Sequence, residues 1–114
     1  MAYDRIGVTG AMDSELPALI AALAQPARET VQGLVFHTGR LGAREVVLVR
    51  CGIGKVSAAR CTQVLIDRFA PGAVINTGIA GGLASGLAVG DIVVADGLVQ
   101  HDFDAAPIGF VRGC

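Results

Sequence analysis

The 114-residue sequence has no tryptophan, one tyrosine and four phenylalanines. Bases of a single nucleic-acid strand therefore have few rings to stack on. No run of basic residues occurs, and nine Lys and Arg against ten Asp and Glu give a net charge of −1. That balance argues against a nucleic-acid partner. The cysteines, Cys51, Cys61 and Cys114, are odd in number and form no C-x-x-C pair. They supply neither a zinc ligand set nor a disulfide framework, and read as reduced thiols of a cytoplasmic protein. Charge is missing altogether from residues 69–90. The six glycines there, with Pro71, break that stretch into strand, loop and turn and rule out a membrane helix. Asp4 and Arg5, with no apolar run beside them, do not read as a signal peptide.

What is present is a globular composition, 53% hydrophobic and 17% charged, without low-complexity tracts. The length suits one domain that buries roughly 65% of its unfolded surface. Arg5–Gly10 (RIGVTG) reads as a buried strand ended by glycine. A helix should follow, because Leu16, Leu19, Ile20 and Leu23 share one face. Pro17 belongs in its first turn, Asp13 or Ser14 at its N-cap, and Pro26 at its end. Val31–Thr38 and Glu45–Arg50 form a hairpin across Gly39 and Gly42, with room for a short extra strand. Lys55–Phe69 is a helix with Ala58, Cys61, Leu65 and Phe69 inward, stopped by Pro71 and Gly72. Ala73–Thr77 is a further buried strand, residues 78–90 a glycine loop, and Asp91–Ala95 and Leu98–His101 two more strands. Strands alternating with helices imply an α/β fold with a mixed or parallel sheet. Ligands of such sheets bind at the carboxyl ends of strands. The turns TGAMDSE, CGIGK and NTGIAGG all sit at such ends and should converge on one crevice.

CGIGKV has Val49 where a phosphate loop needs glycine, and Val56 where it needs Ser or Thr. Its glycine spacing also fails the dinucleotide fingerprint, so Lys55 reads as a solvated first-turn lysine. In NTGIAGG, Gly78, Gly81 and Gly82 let backbone approach a ligand closely, or simply make a tight turn. Glu15, placed in the first turn of a helix, is favoured in its ionised form, as a water-activating base must be; it also fits a generic first-turn acid. His101, Asp102, Phe103 and Asp104 alternate along a strand and so do not gather round a metal; a strand-end or interface role fits better. His37, among apolar neighbours, reads as a surface or core histidine and not as a ligand.

The segments IGVTGAMDSEL, RCGIGKVSAA, VINTGIAGGL, VGDIVVAD and HDFDAAPIGF together resemble the nucleoside phosphorylase superfamily. They are most similar to its hydrolase branch, the 5′-methylthioadenosine/S-adenosylhomocysteine nucleosidases. The resemblance runs over nearly the whole chain. It implies a mixed, partly closed sheet flanked by helices, a homodimer, and cleavage of the N-glycosidic bond between adenine and a 5′-thio-substituted ribose without metal or organic cofactor. The transition state would resemble an oxocarbenium ion. By position, Glu15 matches the glutamate that activates water, Met12 a residue on the ribose side, and Ile53 an apolar wall near the 5′-thio group. Ile79, Ala80 and Gly81 match the loop under the nucleoside, with Ile79 replacing a hydroxyl residue of some members. Ala105 and Ile108 match positions that reach into the neighbouring subunit's pocket, Ile108 being aliphatic where some relatives are aromatic.

Phosphate-dependent phosphorylases of the same superfamily are the poorer match. They carry a GDP-type first turn where GAMDSE stands and an arginine where Asn76 stands, and Glu15 would repel phosphate. Family domains are about twice this length, so residues 1–114 are expected to be the N-terminal half of a single domain. The Met-Glu pair that grips ribose and the aspartate that protonates adenine should lie in the other half, since neither Met1 nor Met12 precedes a Glu. Activity of these residues alone is then expected to be absent or very weak. Two alternatives stay open: a hydrolase of another 5′-modified nucleoside, such as a futalosine-like compound, and a non-catalytic half-domain that self-associates through its apolar surface.

Overall fold

The computed structural model describes residues 3–113. Cys114 and Met1 lie outside the described residues. The chain divides into two compact units, Met1–Ala80 and Gly81–Cys114.

The first unit is built on a mixed five-stranded sheet. Its strands are β1 (Arg5–Gly10), β2 (Ala24–Val31), β3 (Leu34–Leu41), β4 (Arg44–Arg50) and β5 (Ala73–Asn76), in the order β2-β3-β4-β1-β5. β1 lies parallel to both β4 and β5, whereas β2, β3 and β4 form an antiparallel meander. Helix α1 (Pro17–Ala21) follows β1, and α2 (Lys55–Phe69) joins β4 to β5 across β1.

Strand alternation sorts β4 onto two cores. Val47 and Val49 join Leu34, Phe36, Cys61, Leu65 and Phe69 in the layer under α2. Val46 and Leu48 join Val8, Leu16 and Leu23 in the layer under α1. Both faces of β4 are thus covered, which explains its unbroken apolar sequence. The Phe36 and Phe69 rings meet with centroids 4.8 Å apart. Gly7 is bare where α2 passes closest: a Cβ there would stand 2.7 Å from Leu65 Cδ2. Arg5 ties three elements together, pairing with Glu45 at 2.9 Å and donating to the Phe69 carbonyl at 2.6 Å.

Several expectations need correction. Helix α1 is only five residues long, with Leu16 as N-cap and no side-chain cap. Asp13 and Ser14 belong to the preceding turn, and Asp13 pairs with Arg50 instead. The apolar set of Leu16, Leu19, Ile20 and Leu23 still reaches the core, because a single turn plus its flanks suffices to aim it. Pro26 does not end the helix; it lies within β2, an edge strand, beside a register shift between Ala24 and Ala27. Edge strands tolerate a missing N–H there. The span expected as one strand from Val31 is broken at Gln32 and Gly33, whose φ values of 50° and 77° make the tight turn of the β2–β3 hairpin. β5 is paired on one side only, and Val74 and Ile75 are exposed rather than buried.

In the second unit the strands expected at Asp91–Ala95 and Leu98–His101 do not form among the described residues. Asp91 instead accepts a hydrogen bond from the Ala88 amide at 2.8 Å. The Gln100 amide donates to the Gly113 carbonyl at 3.3 Å, an isolated link and no ladder. A short 3₁₀ turn, Ala106–Ile108, is the unit's regular element among the described residues. Just before it, Asp104 accepts the Ala106 amide at 3.0 Å and faces Arg112 at 3.5 Å. No helix among the described residues is long and apolar enough to cross a membrane.

Candidate active site

Parallel pairing places the carboxyl ends of β4, β1 and β5 side by side: Gly10 registers with Arg50, and Thr9 with Asn76. The ladder runs one step further on each side. The Cys51 amide donates to the Gly10 carbonyl at 2.8 Å, and the Thr77 amide to the Thr9 carbonyl at 2.9 Å. Buried Thr9 donates its hydroxyl to Asn76 Oδ1 at 3.1 Å. The three glycine-bearing turns therefore leave the sheet from neighbouring strands at one edge, as their sequence positions required.

Glu15 lies in the turn between β1 and α1, just before the helix and not within its first turn. Its position is set locally. Its amide donates to the Met12 carbonyl at 3.2 Å, while its Oε2 accepts the Met12 amide at 2.9 Å. Oε1 is turned to the start of the loop after β5: a Cβ on Gly78 would sit 2.9 Å from it. Gly10 gives room from below, since a Cβ there would lie 3.3 Å from Glu15 Cβ. A half-buried carboxylate is thus clamped by one amide, with its other oxygen against bare backbone. An ionised carboxylate in that setting can accept a proton from a water molecule.

Met12, Glu15 and Gly78 are brought together. Ile53 and Ile79 follow directly on β4 and β5 and are 77% and 84% exposed, apolar side chains with nothing of the first unit covering them. Gly52 and Gly54, at φ 84° and 98°, bend the chain round Ile53. Ala80 is exposed at the end of the first unit. Gly81, Ala105 and Ile108 belong to the second unit. There Ala105 is the half-buried N-cap of the 3₁₀ turn, and Ile108 is exposed. Lys55 is exposed at the start of α2. Among the described residues no group of three or more His, Cys, Asp or Glu is arranged to hold a metal ion.

Cys51 and Cys61 are free and buried. Burial pushes the Cys61 thiol up to about 11, the nearby Cys51 adds to the rise, and Arg60 partly opposes it. Cys61 is therefore a packing residue held in its protonated form. Sequence reasoning passed over Arg28 and Arg50. Together with His37, Met12 and Asp13 they line a cavity of about 450 Å³ in the first unit. The signal for Arg28 was cross-strand register, which needs the missed strand β2 to be read; Arg50 ends a strand that was read.

Helices thus lie over a mixed sheet, with three glycine-bearing turns at neighbouring strand ends and a carboxylate beside two of them. The chain belongs to the phosphorylase superfamily, whose family model matches residues 5–113. It is 43% identical over 109 residues to the 5′-methylthioadenosine/S-adenosylhomocysteine nucleosidase of Shewanella pealeana, covering 96% of this chain and 47% of that one. The S-adenosylhomocysteine nucleosidase of Streptococcus pyogenes, solved with 5-methylthiotubericidin, is similar over 100% of this chain and 48% of its own, with a TM-score of 0.95 and 44% identity. The futalosine hydrolase of Helicobacter pylori is similar at a TM-score of 0.87 and 31% identity, over 97% of this chain and 48% of its own. The chain thus spans about half the length of the relatives it matches.

Proposed function

We infer that these residues form the water-activating side of an N-ribosyl hydrolase acting on a 5′-thio-substituted adenine nucleoside of the methylthioadenosine and S-adenosylhomocysteine type. The observation that carries this reading is the Glu15 carboxylate, clamped by the Met12 amide beside bare Gly78. In the reaction the C1′–N bond of the nucleoside lengthens and positive charge gathers on the ribose. Glu15 takes a proton from water as the water oxygen bonds to C1′. The adenine leaves with the bonding pair and needs a proton of its own. Met12 and Ile53 line the ribose and 5′-thio side, and Ile79, Ala80 and Gly81 run beneath the nucleoside. No cofactor enters this scheme.

We assign the proton for adenine and the grip on the ribose hydroxyls to residues outside these 114, within a domain of which they form the N-terminal half. A cytoplasmic homodimer, with Ala105 and Ile108 reaching the other subunit's pocket, completes the reading. The similarity to a futalosine hydrolase supports a second reading, a hydrolase of another 5′-modified nucleoside; the higher identity to the methylthioadenosine enzymes favours the first.

The test is a titration of the chain with 5′-methylthioadenosine, followed by amide resonances, with adenine release measured on the same samples. Shifts at Met12, Glu15 and Gly78 with little or no adenine are expected. No shift at roughly millimolar nucleoside, well above the usual range of KM values, overturns the reading. Turnover equal to that of a full-length relative overturns the assignment of the general acid elsewhere, since its loss costs ~10²–10⁴ in rate.

A further inference from the structure

The turn that carries Glu15 is held by few contacts of its own. Residues 11–16 contain neither helix nor strand, and α1 after them is five residues long with no side-chain cap. The bonds that set Glu15, from its amide to the Met12 carbonyl and from the Met12 amide to its Oε2, close within the turn and do not reach the sheet. Leu16, 3% exposed, anchors the far end of the turn in the layer under α1. Between Gly10 and Leu16, an ion pair crosses from turn to sheet. Arg50 Nη1 donates to Asp13 Oδ2 at 3.2 Å, and Arg50 Nε stands 3.1 Å from Oδ1. Contact through both oxygens fixes orientation as well as distance. Arg50 ends β4 in register with Gly10, and the amide of the next residue, Cys51, donates to the Gly10 carbonyl at 2.8 Å. One partner of the pair is therefore rooted in a strand covered on both faces, and the other stands two residues before Glu15. The two side chains are 58% and 85% exposed, so the pair adds little to the stability of the fold.

We propose that Asp13 and Arg50 are positioning residues for Glu15: their ion pair fastens the β1–α1 turn to the end of β4 and so sets the aim of the carboxylate. The inference rests on the reading of Glu15 as the water-activating group and adds what holds that group in place. Neither residue takes part in the bond changes. Without the pair the turn is free to move between its ends at Gly10 and Leu16, and the Met12 amide and Glu15 Oε2 separate for a larger share of the time. The two cores that carry the fold contain neither residue, so the loosening stays local. Both charges face water, so salt weakens the pair and the aim of Glu15 depends on ionic strength.

The test uses the 114-residue chain, the single variants Asp13→Asn and Arg50→Gln, and the charge-swapped double variant Asp13→Arg with Arg50→Asp. Protection of the Met12 amide against hydrogen exchange reads its bond to Glu15, and urea unfolding reads the whole fold. Each single variant is expected to lose about threefold of that protection, the size of one exposed ion pair, at an unfolding midpoint close to that of the parent. The swapped pair is expected to restore most of it, which a role in packing would not do. Raising salt from about 0.05 to about 0.5 M is expected to lower the protection in the parent and to leave the single variants unchanged. Equal protection in all four proteins overturns the positioning role. So does a swapped pair no better protected than the single variants, or a lowered midpoint without a loss at Met12 that the swap reverses. Adding 5′-methylthioadenosine separates this inference from the reading beneath it. If the parent binds the nucleoside and Met12 protection ignores the pair, the nucleoside reading survives and the positioning role falls. If Met12 protection follows the pair and no protein binds the nucleoside, the pair still holds the turn and the nucleoside reading falls.

Discussion

Two stretches of this chain are close to interchangeable on paper. Glu45–Arg50 reads EVVLVR and Asp91–Ala95 reads DIVVA. The first is in the middle of a sheet with Val46, Val47, Leu48 and Val49 all buried. The second is in no strand, with Ile92 and Val94 93% and 89% exposed. The difference lies in partners, not in propensity. β4 has β3 on one side, β1 on the other, α1 over one face and α2 over the other. Among the described residues of the second unit no strand is available for Asp91–Ala95 to pair with. A β-branched run is a surface that fits a sheet, and it becomes a strand only when the sheet is there. Glu15 is fixed by bonds within its own unit, whereas Gly81, Ala105 and Ile108 sit in a unit with a single short 3₁₀ turn of regular structure among the described residues.

The contrast is broken most forcibly at Leu48, which is 0% exposed in the layer under α1. Leu48→Ala should cost about 3–4 kcal/mol by removing buried methyl groups and leaving a cavity that the flanking strands cannot close. Urea unfolding measures it as a lower midpoint. A cost under 1 kcal/mol would mean that this core is as loosely held as the second unit. Cys61 gives the next largest effect. Its folded-state thiol holds its proton up to about 11, against 9.0 for a free thiol. A raised value means the folded chain binds the proton more tightly than the unfolded one. Its contribution is fully present below pH 9 and is lost as pH climbs from 9 through 11, on the order of 3 kcal/mol. Cys61→Ala should flatten that part of the stability curve relative to the parent, apart from its own packing cost. Equal slopes in the two proteins would show that Cys61 is less enclosed than its neighbours Leu65 and Phe36.

β1 and α2 were legible because their ends are marked: Gly10 closes the strand, Gly54 precedes the helix, and Pro71 with Gly72 stops it just after its Ala70 C-cap. β2 was hidden for the opposite reason. Its sequence AQPARETV is polar and contains proline, which an edge strand tolerates and a pattern of alternation does not reveal. Leucine spacing gave the correct face of α1 and overstated its length, since periodicity reports which side chains go inward and not how many turns carry them. For the site, the strand-end turns were readable from glycine placement alone, and their meeting at one edge followed from the α/β order. Glu15 was nominated by resemblance and by dipole reasoning, yet the group that holds it is the Met12 amide. Arg28 and His37 are neighbours only through the register of a hairpin whose first strand went unread.

A smaller test probes the edge where the turns meet. Thr9 is buried and its hydroxyl bonds Asn76, joining β1 to the edge strand β5 just below Glu15. Thr9→Val keeps the shape and removes that bond, at a cost of about 1 kcal/mol plus faster hydrogen exchange at Thr77. Exchange at Thr77 unchanged from the parent would mean that β5 is held by its ladder alone.

The smallest expected effect is the most informative about the second unit. Ile92→Ser removes a large apolar side chain that is 93% exposed and has no strand partner. A surface change of this kind should move the unfolding free energy by no more than about 0.5 kcal/mol. The measurement is made at two protein concentrations, tenfold apart. A small, concentration-independent change keeps the contrast drawn above, in which residues near Ile92 contribute little to stability. A loss well above 1 kcal/mol that grows with concentration reverses it: the run DIVVA would then be buried against another copy of the chain. Anything that binds only the folded form stabilises it by mass action, so a contact between copies must show this concentration dependence. The exposed valines would then be half of an interface, and the difference between EVVLVR and DIVVA would come down to whether the covering surface lies in the same copy or in a second one.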